Sequence, residues 1–473
     1  DADSRAPHVR EADEAVNVGP APSAESYLRG ERLIEAALRT GAEAIHPGYG
    51  FLSERDSFAR AVRDAGLVWI GPPAEAIAAM GSKTAARELA IRAGTPVVPG
   101  TTTALRDADE AAEVAERFGY PVLLKPAAGG GGKGMRVVHQ RSELASALQA
   151  AQREAKNAFG DDAVYVEKYI VGPRHVEIQV LGDQHGTMLH LGERECSIQR
   201  RHQKMIEEAP SVAVTPELRA RMGAAAVAAA RAAGYTNAGT CEFLLDAKGE
   251  FYFLEMNTRI QVEHPVTELV TGIDLVQWQL RIASGEKLPF TQQEIAPKGW
   301  AIECRITSED PANGFLPSTG KVRYLHLPSG PGVRWDGGIE TGSEITLFYD
   351  PMLAKLIVHA PTREAAIARM HRALLELTVD GVDTSRDFHL RVMEHPEFRS
   401  GDISIQWLER NLAELTAPAP TPDGVRLAAI AAALFARADR ARPASAAPTA
   451  GTDGDAGSGD GWRRLARLEA LRP

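Results

Sequence analysis

The chain has 473 residues, of which 44% are hydrophobic and 25% charged, fractions typical of soluble globular proteins with roughly two to four domains at this length. Its net charge of −10 excludes an overall basic footprint for nucleic acid, and no apolar run approaches the ~18 residues of a membrane helix. Three widely spaced cysteines, Cys196, Cys241 and Cys304, form neither a disulfide framework nor a metal-ligand pattern, which predicts a reducing, cytoplasmic location.

The first 80 residues predict a short alternation of helix and strand. After an opening loop comes a helix over 25–39, and the string AEAIHPGYG predicts a short strand that ends in a Gly/Pro-rich turn. A helix over 54–65 and the strand LVWIGP repeat this unit, which favours a parallel α/β layer. Because only the end of such a layer is visible, we expect its first elements to lie upstream.

From Met80 the pattern changes. Helices over 83–94 and 107–118 lead to the strand PVLLKPA, and the strand MRVVH precedes a helix near 141–157. A glycine cluster, Gly129–Gly132 with Lys133 and Gly134, lies between these two strands, whereas a P-loop or dinucleotide fingerprint leads into a helix. The cluster predicts either a flap whose N–H groups close over phosphates or a plain hairpin tip.

The most informative segment is Glu255–Glu263, where five polar side chains stand at alternate positions. In an extended chain, period two puts Glu255, Asn257, Arg259, Gln261 and Glu263 on one face. A solvated edge strand can also alternate, but it rarely combines two acids, an amide, an arginine and a glutamine next to HPVTE. The segment therefore predicts a polar binding face.

A predicted hairpin over CEFLLDAKGEFYFLEMNTR places a second acid beside this face. If Asp246 and Phe251 close the loop, Leu244 pairs with Phe253, and Glu242 pairs with Glu255. Two directly opposed carboxylates destabilise a hairpin unless a cation lies between them. Carboxylates with an amide nearby suit Mg²⁺, which often bridges acids and substrate phosphates.

Two shorter segments remain ambiguous by themselves. The run Gln199–Lys204 (QRRHQK) is either a solvated charged stretch or a source of charge-assisted contacts to a nucleotide. The strand AIECRI carries Glu303 and Arg305 on one face, where they form either an internal salt bridge or part of a site.

Nine segments of the sequence together carry a resemblance to a known family. In chain order they are HPGYGFLSE, MGSK, KPAAGGGGKGM, VEKYI, RHVEIQV, ERECSIQRRHQK, CEF, EMNTRIQVEHPVTE and AIECRI. Together they resemble biotin carboxylase, the ATP-grasp component of biotin-dependent acyl-CoA carboxylases. The resemblance covers about residues 1–413. The lysines, the glycine flap and the acidic hairpin are shared with other ATP-grasp ligases, while RRHQK and EMNTRIQVEHP are specific to this family.

The resemblance implies a role for each matching residue. It implies an ATP site formed by Lys83, Lys125, Gly131, Gly132, Glu167, Lys168, Ile170, His175, Gln199 and His202. It implies two Mg²⁺ (or Mn²⁺) ions bound by Glu242, Glu255 and Asn257. It implies bicarbonate bound by Lys204, Arg259 and the turn Gln261–Val262, with Glu263 as its base, and it places Arg305 against the ureido oxygen of biotin.

The implied fold is α/β and α+β multidomain: an ATP-grasp fold with a preceding Rossmann-like layer, whose first strand and helix are missing, and a C-terminal biotin-carboxylase lobe. The expected domains are an N-terminal domain over 1–80, an ATP-grasp domain over 81–297 with a mobile lid over 98–169, and a C-terminal domain over 298–413. A Pro/Ala/Gly-rich linker over 414–460 and the start of a further domain over 461–473 follow.

The biotin-attachment motif Ala-Met-Lys-Met is absent from the sequence. The biotin is therefore expected on a carrier domain. The second expected partner is a carboxyltransferase β subunit, in a homo- or hetero-oligomeric assembly, and no nucleic-acid or membrane partner is expected. Two alternatives stay open: a biotin-independent ligase of the carbamoyl-phosphate-synthetase type, and a non-catalytic scaffold protein.

Overall fold

The computed structural model describes residues 1–101, 105–126, 135–159, 162–417 and 430–435. The chain divides into two units, Asp1–Ala417 and Pro418–Pro473. In the second unit the described residues 430–435 are helical. Apart from these and residues 414–417, the predicted linker and further domain lie outside the described residues.

The helices of the first unit are, in chain order, α1 (Pro7–Glu11), α2 (Gly30–Thr40), α3 (Asp56–Asp64), α4 (Ala74–Gly81), α5 (Lys83–Arg92), α6 (Ala108–Phe118), α7 (Arg141–Phe159), α8 (Pro216–Ala232), α9 (His264–Thr271), α10 (Leu275–Ala283), α11 (Arg363–Glu376), α12 (Arg386–Glu394), α13 (Pro396–Ser400) and α14 (Trp407–Thr416). None of the helices in the described ranges has the length and apolar character needed to cross a membrane.

The strands are β1 (Ala44–Ile45), β2 (Val68–Trp69), β3 (Val122–Pro126), β4 (Arg136–Val138), β5 (Val164–Lys168), β6 (Arg174–Gly182), β7 (Met188–Arg200), β8 (Gln203–Ala209), β9 (Asn237–Leu245), β10 (Phe251–Asn257), β11 (Trp300–Thr307), β12 (Glu309–Asp310), β13 (Leu316–Pro317), β14 (Gly320–Lys321), β15 (Tyr324–His326), β16 (Val333–Gly337), β17 (Glu344–Ile345), β18 (Met352–Ala360) and β19 (Thr378–Asp380).

The N-terminal segment forms the predicted parallel layer. Strands β1 and β2 pair in parallel, and helices α2 and α3 pack their apolar faces beside them. Helix α2 ends at Thr40 and is capped by Gly41, whose φ of 72° is the left-handed conformation that glycine adopts without strain. Helix α4 was not predicted from the sequence, because its Ala-rich sequence lacks a clear polar face.

An eight-stranded antiparallel sheet forms the centre of the first unit. Its strand order is β10-β9-β6-β7-β8-β11-β18-β16. The Ala-rich helix α8, capped by Thr215 and begun by Pro216, packs its small side chains on one part of this sheet. Three strands of the predicted C-terminal lobe (β11, β16 and β18) extend the same sheet, so side chains of the lobe reach the sheet's central strands.

A second, smaller sheet has its own core. Strands β4-β3-β5 are antiparallel and pack with α6 and α7 around buried residues that all lie between Leu105 and Val166. This is the segment for which the sequence predicts a mobile lid (98–169). It has a core of its own, and its mobility stays a prediction.

Candidate active site

A cavity of about 690 Å³ collects most of the predicted site residues. Those that line it are Lys125, Glu167, His175, Gln199, His202, Lys204, Glu242, Glu255, Asn257, Arg259, Gln261, Val262, Glu263 and Arg305. They come from strands of both sheets, from the turn between β7 and β8, and from the segment between β10 and α9. The fold therefore brings together side chains that lie up to 180 residues apart in the sequence, from Lys125 to Arg305.

The acidic hairpin has the predicted opposition of Glu242 and Glu255. These two residues are Cα partners across β9 and β10. The predicted pairing of Leu244 with Phe253 is wrong: Phe253 pairs with Phe243, and a bulge at Leu254 shifts the register by one residue before Glu255. The bulge brings the two acids opposite each other from a hairpin that starts in a different register.

The sequence predicted an extended chain over the alternating segment Glu255–Glu263. The structure differs, because the segment is not one extended strand. Strand β10 ends at Asn257, and α9 starts at His264 with Glu263 as its N-cap. The side chains nevertheless converge, because Asn257, Arg259, Gln261 and Glu263 all line the cavity. The His-Pro pair at the start of α9 is the sequence signal for this change, since proline is favoured in the first turn of a helix.

Lys204 is the hub of a buried ionic network. Its Nζ donates to Glu242 Oε1 at 2.9 Å, to Glu263 Oε1 at 2.6 Å and to Glu177. Burial lowers the pKa of Lys204, but these three carboxylates outweigh burial and raise the pKa well above its ordinary value. The ammonium group is therefore charged at any physiological pH.

Glu242 is the acid that links this network to the hairpin. Its Oε1 also accepts from Asn257 Nδ2 at 2.8 Å and from Gln261 Nε2 at 2.7 Å, and its Oε2 lies 3.1 Å from His175 Nε2. Burial raises the pKa of Glu242, but Lys204 and His175 outweigh it and hold the pKa well below its usual range. Glu242 is thus an anion, the charge state in which a carboxylate can bind a metal ion.

Glu263 bridges Lys204 and Arg305. Its second oxygen, Oε2, accepts from Arg305 Nη2 at 2.9 Å, and Arg305 Nε donates to Glu207 Oε1 at 2.6 Å. Burial raises the pKa of Glu263, but Lys204 and Arg305 outweigh it, so the net pKa is lowered. Arg305 pairs with these two acids rather than with Glu303 on its own strand, which rules out the internal pair that the sequence left open.

Arg259 faces the cavity from the segment after β10. Its Nη2 donates to Asn257 Oδ1 at 3.1 Å, and its Nε lies 3.0 Å from Glu54 Oε1. Glu54 belongs to the string HPGYGFLSE, so the N-terminal segment contributes to the position of Arg259.

The charged run Gln199–Lys204 forms the turn between β7 and β8. Arg201 and His202 have φ values of 49° and 67°, consecutive left-handed residues of the kind found in two-residue hairpin turns. Gln199 and Lys204 are Cα partners on either side of this turn. The tight turn explains how both reach one cavity.

Lys125 and Glu167 lie together at the junction with the smaller sheet, where Lys125 Nζ donates to Glu167 Oε2 at 3.0 Å. Lys168 Nζ donates instead to the carbonyls of Gly119 (2.6 Å) and Tyr120 (3.3 Å). Neither Lys168 nor Ile170 is among the described residues that line the cavity, so their adenine role stays a prediction. The side chain of Lys83 and both Gly131 and Gly132 lie outside the described residues.

Sequence reasoning missed a fully buried arginine beneath the site. Arg194 donates to Glu177, Gln179, Thr240, Gln261 and Thr267, and its side chain has no exposed surface. Its bond to Gln261 Oε1, at 2.7 Å, directs the amide of Gln261 toward Glu242. The available signal was the polar alternation in RHVEIQV, which contains its partners Glu177 and Gln179. The sequence does not specify, however, which strands lie next to each other in the sheet.

We expect Arg194→Met to lower the free energy of unfolding by about 3–5 kcal/mol, because it leaves Glu177 buried with one cation fewer. Urea unfolding followed by circular dichroism measures the loss, with Arg410→Met on the exposed face of α14 as the matched control. A loss below about 1 kcal/mol, as for a surface side chain, contradicts a structural role for this arginine.

Comparison with known proteins agrees with this arrangement. Three family models match: the biotin carboxylase N-terminal domain over residues 1–77, the carbamoyl-phosphate synthase L chain ATP-binding domain over 82–291, and the biotin carboxylase C-terminal domain over 303–410. Biotin carboxylase 1 of Bacillus subtilis is 50% identical over 410 residues, which cover 86% of this chain and 91% of that relative.

A longer relative and a solved structure give the same result. The propionyl-CoA carboxylase alpha chain of Ruegeria pomeroyi is 47% identical over 456 residues, which cover 92% of this chain and 67% of the relative. The biotin carboxylase domain dimer of Hydrogenobacter thermophilus 2-oxoglutarate carboxylase, solved with MgADP, ADP and bicarbonate, has a TM-score of 0.80 and 48% identity, covering 88% of this chain and 92% of that one. Since the models extend across almost all of the first unit and their residues meet in one cavity, the chain belongs to the biotin carboxylase family of ATP-grasp ligases.

Proposed function

We propose that this chain uses ATP and bicarbonate to carboxylate biotin presented on a carrier domain. The observation that carries the proposal is the position of Glu263 between two cations, Lys204 at 2.6 Å and Arg305 at 2.9 Å. Lys204 also contacts Glu242 of the acidic hairpin, where nucleotide and metal are expected, and Arg305 contacts the other oxygen of Glu263. A single carboxylate thus separates a phosphoryl-transfer side from a carboxyl-transfer side.

The hairpin residues fit Mg²⁺ by the chemistry of their donors. Glu242 and Glu255 are opposed acids, and Asn257 adds an amide oxygen, all hard ligands of the kind Mg²⁺ requires. We propose that these three residues hold two Mg²⁺ ions, which would neutralise phosphate charge when bound. Lys125 and Lys83 are proposed to bind the same phosphates, with Gly131 and Gly132 over them.

The first half-reaction needs a base and a positively charged binding site for bicarbonate. In the proposal, Lys204, Arg259 and the turn Gln261–Val262 bind the anion, and Glu263 takes its proton. Bicarbonate oxygen then attacks the γ-phosphorus of ATP, the bond to ADP breaks, and carboxyphosphate forms. Without substrate, Lys204 and Arg305 neutralise Glu263 and lower its pKa. Once these cations turn toward substrates, the carboxylate becomes a stronger base.

The second half-reaction takes place beside Arg305. Carboxyphosphate breaks into CO₂ and phosphate, and the phosphate removes the N–H proton of the biotin ureido group. The negative charge that develops on the ureido oxygen faces the Arg305 guanidinium, and the nitrogen forms its bond to CO₂. Burial lowers the pKa of Arg305, but Glu207 and Glu263 outweigh burial and raise it, so the guanidinium stays charged throughout.

Measurement of ADP release with Mg²⁺, bicarbonate and free biotin, each added separately, tests this function. We expect slow ADP release with bicarbonate alone and faster release with carboxybiotin formation when biotin is added. Ammonia-dependent, biotin-independent turnover would instead support the carbamoyl-phosphate-synthetase type, which shares the central family model but not the two biotin carboxylase models that flank it.

We expect Glu242→Gln and Glu255→Gln each to raise the Mg²⁺ concentration needed for half-maximal ATP cleavage and to slow phosphoryl transfer. The reason is that each substitution removes a negative ligand from the opposed pair. A Mg²⁺ titration of ATPase activity measures both effects, and Glu250→Gln in the exposed hairpin loop is the matched control. Unchanged midpoints and rates in both variants contradict the metal assignment.

The proposed partners follow from the same chemistry. A biotin carrier domain must bring the ureido group to Arg305, and a carboxyltransferase β subunit must accept the carboxyl group, in a homo- or hetero-oligomeric assembly.

All three cysteines are buried and free, which supports a reducing, cytoplasmic location.

A further inference from the structure

Glu303 is a buried acid that the proposed mechanism does not use. It lies in the middle of β11, and its side chain has no exposed surface. Within the described ranges, no hydrogen-bond donor reaches either of its carboxyl oxygens. An ionised carboxylate in this position lacks both water and a partner, which strongly disfavours the charged form.

A second acid lies directly across the sheet. Glu207 on β8 is the Cα partner of Glu303, so both side chains project from the same face with Cβ atoms about 4.5–5.5 Å apart. Glu207 Oε1 accepts from Arg305, while Glu207 Oε2 is buried without a donor in the described part of the chain. Two carboxyl groups with unsatisfied oxygens therefore lie side by side.

The charged groups around this pair are already engaged. Arg305 on the same strand contacts Glu207 and Glu263. Lys355 on β18 donates to Val262 O at 2.9 Å and lies 3.5 Å from Asp336 Oδ2 on β16. No described cation forms a salt bridge with Glu303, so a proton is the group that can satisfy both acids.

We propose that Glu303 is a positioning residue that carries a proton and donates it in a hydrogen bond to Glu207 Oε2, which keeps Glu207 the anionic partner of Arg305. Burial raises the pKa of Glu303 well above its usual range and raises that of Glu207 to about 7. The pair then holds one shared proton above neutral pH. The role in catalysis rests on the proposed function, since it acts through Arg305.

The charge of Glu303 can be measured without any activity. At about pH 8, one unit above the Glu207 pKa of about 7, we expect Glu303→Gln to leave the electrophoretic mobility of the native protein unchanged. Glu409→Gln, at an exposed glutamate of α14, should shift the mobility by one charge. We also expect Glu303→Gln to remove an infrared C=O stretch of a protonated carboxylic acid. A mobility shift equal to that of the control, or an unchanged infrared spectrum, overturns the proposal.

The pH profile of carboxylation tests the effect on Arg305. Glu303→Gln keeps a hydrogen-bond donor and should carboxylate biotin at nearly the wild-type rate, whereas Glu303→Met removes the donor. With the methionine substitution, Glu207 loses a hydrogen bond to its charged form, so the acid limb of carboxylation should move up by about one to two pH units. Bicarbonate-dependent ATP cleavage should change by less than about two-fold, because the phosphate side is untouched.

The outcomes separate this proposal from the proposed function. An acid limb that stays in place in Glu303→Met, or equal losses in both variants, overturns the positioning role. If Glu303→Met does not fold, the mobility and infrared measurements on Glu303→Gln still decide whether the proton is present. If Glu303 carries the proton but the protein does not carboxylate biotin, the proposed function is wrong. The proposal that Glu303 and Glu207 share a proton then still stands.

Discussion

Arg305→Gln is expected to separate ATP cleavage from biotin carboxylation. Carboxybiotin formation should fall about 10²–10³-fold, the cost of removing one preorganised donor from a developing oxyanion. Slow bicarbonate-dependent ATP cleavage should survive, because Lys125, Lys204 and the acidic hairpin keep their contacts. The prediction follows from the position of Arg305 on β11, where it lines the cavity and contacts Glu263 Oε2, whereas Lys204 contacts Oε1.

Phosphate release, carboxybiotin yield and melting temperature measured on one preparation test this prediction. Arg410→Gln on the exposed face of α14 is the matched control. If Arg305 only neutralises Glu207 and Glu263, the variant loses stability and both reactions fall together. A variant that folds normally and still couples ATP cleavage to carboxylation refutes the assignment of Arg305 to biotin.

The parts of the site that could be predicted from the sequence depend on local patterns. The opposition of Glu242 and Glu255 was predicted correctly, although the bulge at Leu254 was not, because an exposed leucine in a period-two pattern gives no sign of a bulge. The extended conformation predicted for Glu255–Glu263 was wrong after Asn257. There the choice between strand and bend depends on the helix that follows, and Pro265 is its only local marker.

The parts that could not be predicted depend on strand order. Glu177, Arg194 and Glu207 lie on β6, β7 and β8, which are buried along most of their length. Each strand carries other charged residues as well, so nothing in the sequence singles out these three. Their contacts exist because the sheet places β7 between β6 and β8, and β8 between β7 and β11. A pairing of residues that lie 98 positions apart, as between Glu207 and Arg305, leaves no periodic trace in one sequence.

Glu263→Gln is expected to slow the first half-reaction strongly while leaving metal binding intact. Loss of a general base costs about 10²–10⁴-fold, so bicarbonate-dependent ATP cleavage and carboxybiotin formation should both fall by that factor. The substitution keeps an oxygen that can accept from Lys204 and removes only the basic charge. The Mg²⁺ midpoint should stay at the wild-type value, since Glu263 contacts Lys204 and Arg305 and not the opposed pair of the hairpin.

The combination of rates and midpoints distinguishes this variant from the others. Glu242→Gln shifts the Mg²⁺ midpoint, Arg305→Gln spares ATP cleavage, and Glu263→Gln does neither. Glu409→Gln provides an exposed control with the same change in charge. Full bicarbonate-dependent ATP cleavage in a folded Glu263→Gln variant would show that the proton goes elsewhere. The position of Glu263 between Lys204 and Arg305 would then serve only to hold two cations apart, and the division of the cavity into a phosphoryl side and a carboxyl side would lose its chemical basis.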